Sequence, residues 1–199
     1  MKISGQLNLT TKRLLGVSIV GILLFSSCSK NNPSPFIQVP LVNTDMESGS
    51  TQPASWYFGH TAVDIAMTWA TDAASSPSHS LEMSRSVVTD ATSFAAWGQN
   101  YPGTIPFGKD LIFAVKINGV NLSGQGLSIA IRVDGVTTPD LQFSTTQNSL
   151  FIGGTFDWKT YTVKLNSVNG QAKYIIVYLV YLPTTTGKAY FDDVSLTHN

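Results

Sequence analysis

The chain has 199 residues, 43% of them hydrophobic, with twelve basic and twelve acidic side chains, three histidines and one cysteine. A single cysteine can form no internal disulfide, and three scattered histidines with neither a cysteine partner nor an HExxH spacing make no zinc site. Residues 1–27 carry Lys2, Lys12 and Arg13 and no acid, so the remainder holds nine basic against twelve acidic groups, a net of −3. That balance speaks against nucleic acid as a partner.

The N-terminus reads as an export signal. A basic start precedes the apolar run "LLGVSIVGILLF" from Leu14 to Phe25, and "SSC" follows, ending at Cys28. The run is shorter than the roughly 20 helical residues needed to cross a bilayer. The pattern resembles a bacterial lipoprotein signal, with Phe25 where such signals usually carry Leu. That resemblance implies a signal peptide over residues 1–27, lipid on Cys28 and an outer-membrane location with either face open. Several acyl chains hold a protein far more firmly than one. The polar, proline-rich "SKNNPSPFIQVP" reads as a tether over residues 28–40. Residues 41–199 are then one domain, long enough to bury a core without disulfides, and they contain no internal repeat.

Alternation identifies the elements of that domain. "TAVDIAMTWATDAA" is the one stretch that could pass for a short helix, but its Val, Ile and Thr content leaves a strand or irregular excursion equally open. "LIFAVKING" puts Leu111, Phe113, Val115 and Ile117 on one face. "GLSIAIRVDG" does the same with Leu127, Ile129, Ile131 and Val133, setting Ser128, Ala130, Arg132 and Asp134 opposite. "WKTYTVKLN" aligns Tyr161, Val163 and Leu165, and "KYIIVYLVYLP" is apolar on both faces, as a central strand would be. "GVNLSGQG", "VDGVTTPD" and "LPTTTGK" supply turns between these runs. "TTTGK" lacks the upstream glycine of a phosphate loop. The pattern predicts an all-β, antiparallel β-sandwich.

An ordered series of motifs along the domain carries a family likeness. "NTDMESGSTQPASWYF", "SHSLEMS", "WGQNYPGTIPFGKDLIFAVKING", "IRVDG", "IGGTFDWKTYTVKL" and "GKAYFDDVSL" together resemble the galactose-binding-like jelly rolls of carbohydrate-binding modules. Met46 stands where that signature more often has Phe. The resemblance implies a jelly roll that binds a polysaccharide or oligosaccharide without catalysis. It also places Trp56 and Trp158 at positions used for packing.

Catalysis needs convergent acids, bases or nucleophiles in a pocket, and the stock is thin. His60, His79 and His198 read as surface histidines, and Glu47 and Glu82 are the only glutamates. Binding has better material, because aromatic rings stack on the C–H faces of sugars while amides and guanidinium groups bond hydroxyls. Trp97 and Gln99 alternate onto one face and Arg132 lies opposite its strand's apolar face, so these three form the expected ligand platform, bordered by Tyr101 and Tyr178. Arg132 reads equally as a salt-bridged structural residue. Two functions stay open: a lipid-anchored glycan-binding module, or an assembly lipoprotein contacting another envelope protein. A glycan-active enzyme is the minor alternative.

"AYFDDVSL", near the end of the chain, raises a separate question. Asp192 shares parity with the inward Val194 and Leu196, and a carboxylate buried there must be paired, protonated or metal-bound. The family resemblance implies a structural calcium held between Glu47 and Asp192, whose hard oxygens suit that ion. The other reading is that Asp192 accepts backbone N–H groups at the sheet end.

Overall fold

A computed structural model describes residues 37–199. The expected signal peptide, the lipidation residue Cys28 and the tether as far as Phe36 lie outside the described residues. Among those described there are ten strands and no helix: β1 (Ile37–Val39), β2 (Tyr57–His60), β3 (Ala66–Ala70), β4 (Ser80–Arg85), β5 (Ala95–Asn100), β6 (Leu111–Asp134), β7 (Gln142–Thr145), β8 (Ile152–Leu165), β9 (Tyr174–Tyr181) and β10 (Thr186–His198). Every pairing is antiparallel. The possible helix resolves as β3, a short edge strand.

The hydrogen-bonded order β2-β5-β9-β6-β10-β4-β3 is continuous, with β7 and β8 also pairing β6 and β1 pairing β10. β6 makes this one curled sheet into two layers. Its first part, from Leu111 to Ser123, pairs with β10, and its last part, from Leu127 to Asp134, pairs with β9. One layer is therefore β3-β4-β10-β6-β8 and the other β2-β5-β9-β6-β7, which is the antiparallel β-sandwich expected of the alternation. The two runs read as separate strands are one strand of 24 residues. The glycine-rich segment between them bends the strand without ending it. Asn121, Gly124 and Gly126 take φ of +53°, +78° and +77° there, a left-handed region that glycine enters without steric cost. A side chain on Gly124 would also run into the carbonyl of Thr184.

The core lies between the layers. Leu111, Phe113, Val115 and Ile117 face it from the first part of β6 and Leu127, Ile129, Ile131 and Val133 from the last, all at most 1% exposed. Ile175, Val177, Leu179 and Tyr181 do so from β9, and Tyr161, Val163 and Leu165 from β8. Trp56 is buried, with its indole N–H donating to the Asn43 carbonyl at 3.1 Å. Trp158, expected to pack, is only half-buried.

Trp97 and Gln99 belong to this interior, which corrects their expected place on a ligand platform. Each is 1% exposed. The Trp97 ring packs against Phe58 at 4.6 Å between centroids, and its N–H reaches across to the Glu82 carbonyl on β4 at 3.4 Å. The Gln99 amide behaves like a strand partner: its Oε1 accepts from the Val42 N–H at 2.9 Å and its Nε2 donates to the Val42 carbonyl at 2.8 Å. Trp97→Ala is accordingly expected to lower stability by about 3–5 kcal/mol, read from chemical denaturation.

Candidate functional site

The outer face of the β2-β5-β9-β6-β7 layer carries a groove of about 510 Å³. Strand register assembles it in cross-strand rows. Ala96, Val180 and Ser128 are aligned on β5, β9 and β6; the next row is Gly98, Tyr178, Ala130 and Thr145; a third holds Asn100, Ile176, Arg132 and Phe143. Small residues make the floor. Tyr178 and the 56%-exposed Phe143 stand up from it, and a stacked pair, His60 on Phe94 at 4.0 Å, closes one end. Two glycines make room for the tyrosines: a Cβ on Gly98 would lie 2.9 Å from the Tyr57 ring, and one on Gly59 3.0 Å from Tyr178.

Arg132 is the cation of the groove. Its Nε lies 2.8 Å from Asp134 and 3.0 Å from Asp140, and among the described residues no hydrogen bond engages its terminal nitrogens. Burial pushes the Asp134 carboxyl up, but bonds from Arg132 and from the Asp140 N–H outweigh it and hold the group below the usual carboxylate value. Burial and the adjacent Tyr178 push the Tyr57 phenol up to about 12, so it stays a neutral hydroxyl.

Of the residues expected at a ligand face, Arg132 and Tyr178 line this groove together. Tyr101 does not: its ring packs at the margin of the core and its hydroxyl donates to the Thr104 carbonyl at 3.1 Å. Phe143, Phe94 and His60 were not singled out for this face. Phe143 had a local signal, since it alternates with Thr145 on a short strand; the other two come from loops or edges whose placement only pairing reveals.

Asp192 and Glu47 form a second feature, at the junction of the N-terminal turn and the last strand. Asp192 is fully buried. Its Oδ2 accepts from the backbone N–H groups of Ser75 at 2.7 Å and Ser76 at 2.8 Å; its Oδ1 meets the Ser76 hydroxyl at 2.8 Å and the Asp193 N–H at 2.7 Å. Glu47 is similarly engaged. Its Oε1 accepts from the N–H groups of Ser78 at 2.9 Å and His79 at 2.8 Å, and its Oε2 faces the Ser78 hydroxyl at 2.6 Å and His79 Nδ1 at 3.2 Å. Asp193 takes the Ser75 hydroxyl and the Lys116 ammonium at 2.8 and 2.9 Å. Asp192 Oδ2 and Glu47 Oε1 thus each accept two backbone N–H groups, and the other two oxygens each face at least one further donor, so donors point where a cation would need lone pairs. Among the described residues no group of three or more His, Cys, Asp or Glu side chains is placed to hold a metal. This donor set does not fit calcium; the serine loop answers the buried carboxylate instead.

No protein-family model matches the sequence, and the search of curated proteins finds no match. Solved structures do match in fold. A cyclase from Fischerella sp. TAU is similar over 82% of this chain and 98% of that one, with a TM-score of 0.61 and 14% identity. A CBM4 structure is similar over 80% and 100%, at 0.53 and 15%. The CBM22-1 xylan-binding domain from Paenibacillus barcinonensis Xyn10C is similar over 78% and 91%, at 0.51 and 11%. At such identities the likeness is one of architecture, the antiparallel β-sandwich.

Two outcomes follow for the carboxylate latch. Burial pushes the Glu47 carboxyl up, but bonds from Ser78 and His79 outweigh it and hold the group at about 2, below its ordinary 4.5. A depressed carboxylate stabilises the fold above its unfolded value and loses that contribution as pH falls through its folded one. Glu47→Gln should therefore be less stable than wild type at neutral pH, with the gap closing between about pH 4.5 and 2 in urea midpoints. The melting temperature of the wild-type protein should be the same in excess chelator and in millimolar calcium; a calcium-dependent rise would restore the metal.

Proposed function

We propose that this protein is a non-catalytic glycan-binding lipoprotein of the bacterial outer membrane, anchored through Cys28, with the groove over β5, β9, β6 and β7 as its ligand site. The observation that carries the reading is the groove's composition: Tyr178 and Phe143 beside a small-residue floor, with Arg132 between them. Rings of that kind stack on sugar C–H faces, and the guanidinium supplies donors to hydroxyls in a fixed plane. The architecture shared with a xylan-binding domain supports the reading.

The cyclase among the structural neighbours keeps an enzyme in view. Hydrolysis of a glycosidic bond ordinarily uses two carboxyl groups, one held protonated to serve as acid. In this groove both nearby carboxylates contact Arg132, and Asp134 is held below its usual value. That chemistry favours binding over cleavage. The competing non-enzymatic reading, docking of another envelope protein, would use the same aromatic face.

A glycan array followed by calorimetry separates these readings. Wild type should bind a polysaccharide in competition with its free oligosaccharide. Phe143→Ala and Arg132→Gln should each weaken that binding about tenfold, or roughly 1.4 kcal/mol, with little change in melting temperature. Silence across plant, algal and host glycans would favour the envelope-protein partner.

A further inference from the structure

The groove does not stop at its rim. A second hollow of about 380 Å³ adjoins it and shares Gln147 and Leu182 with it. The amides of Gln125 and Asn148, Ser149 and the side chains of Leu150 and Phe151 complete the lining, and among the described residues no charged side chain takes part. Phe151 is 66% exposed and adjoins Leu150, itself 45% exposed, so the two make an apolar patch rather than a lone ring. Phe151 is nevertheless held down: a Cβ on Gly153 would run into the ring, and one on Gly126 would lie 3.3 Å from it. The ring therefore lies on bare glycine backbone with much of its surface open to solvent.

The turn between β7 and β8 that presents this ring is ordered by its own bonds. The Thr146 carbonyl accepts the N–H groups of Ser149 at 3.1 Å and Leu150 at 3.0 Å, and the Ser149 hydroxyl at 2.9 Å. Thr146 is itself buried, with Oγ1 accepting the Ile129 N–H at 3.0 Å. A loop already fixed in place loses little conformational freedom when a ligand settles on it.

We propose that this ledge is a second subsite for the same ligand. A glycan chain lying across the groove passes over Leu182, stacks a further sugar ring on Phe151 and bonds its hydroxyls to Gln125, Gln147 and Asn148. The ligand is an uncharged sugar chain, because among the described residues the ledge offers amides, a serine and apolar surface but no charge, and Arg132 in the groove is countered by two aspartates. This inference rests on the glycan reading above and adds its extent and charge class.

The test titrates the purified protein with xylose- and glucose-based oligosaccharides from disaccharide to hexasaccharide, and with uronic-acid oligosaccharides of matching length. Affinity should rise about tenfold once the chain is long enough to reach Phe151. Phe151→Ala should remove that gain and leave short-chain affinity unchanged, Phe151→Tyr should restore it, and Phe143→Ala should weaken short and long chains alike. Long-chain affinity that survives Phe151→Ala while Phe143→Ala abolishes binding would overturn the ledge and spare the groove. Uronic-acid chains binding as tightly as neutral ones would overturn the charge class. No binding by any glycan would remove both readings together.

Discussion

One strand has to serve two layers. β6 pairs with β10 and β8 at one end and with β9 and β7 at the other, so its apolar side must stay inward while its direction changes. A sharp bend interrupts the ladder and, at the buried Gly126, would leave a carbonyl away from water without its strand partner. The turn between β9 and β10 meets that cost. Gly126 offers its carbonyl to the Leu182 N–H at 3.1 Å and to the buried Thr185 hydroxyl at 2.7 Å. The Thr185 carbonyl in turn accepts Nε of the buried Arg85 at 2.6 Å. The same turn puts Leu182 between the groove and the Phe151 ledge, so the bend that builds the sandwich also aligns the two hollows on its surface.

Polar groups in the interior follow two patterns. Asp192 accepts the backbone N–H groups of Ser75, Ser76 and its own neighbour Asp193, and the Ser76 hydroxyl, with one proton to give, lies 2.8 Å from both Asp192 Oδ1 and the Asp45 carbonyl of the N-terminal turn. The turn that holds Thr44 and Asp45 and the strand β10 are thereby joined by hydrogen bonds, with the Val194 N–H on the Thr44 carbonyl at 2.9 Å as a further tie. The Arg85–Asp64 pair is less complete. Its 3.4 Å contact leaves Asp64 Oδ1 and Arg85 Nη2 buried without partners among the described residues, though the guanidinium lies 5.8 Å from the Tyr181 ring centroid. A buried pair so arranged contributes less than one fully bonded.

The groove and the core draw on the same kinds of side chain. Trp97 and Phe143 are both aromatic and both lie on strands of the same layer, yet one fills the interior and the other stands in solvent. Their difference is the face of the sheet. Parity within a strand says which residues share a face, and only the neighbouring strands decide which face is covered.

Local alternation was enough to locate the inner faces of the long strands: Leu127, Ile129, Ile131 and Val133, and Tyr161, Val163 and Leu165, are residues that the structure buries. Period-two patterning is local chemistry, readable without knowing the partners. It also marked Arg132 as facing away from the core and Asp192 as facing in. The tertiary structure decided what each of these meets. On β5 "AWGQN" puts Trp97 and Gln99 on one face, but its apolar and polar residues do not alternate cleanly enough to show that this face is the inward one. The donors around Asp192 come from a serine loop more than a hundred residues away in sequence. Which side chains converge on a groove or a buried charge is fixed by register between distant strands, and no single strand contains that information.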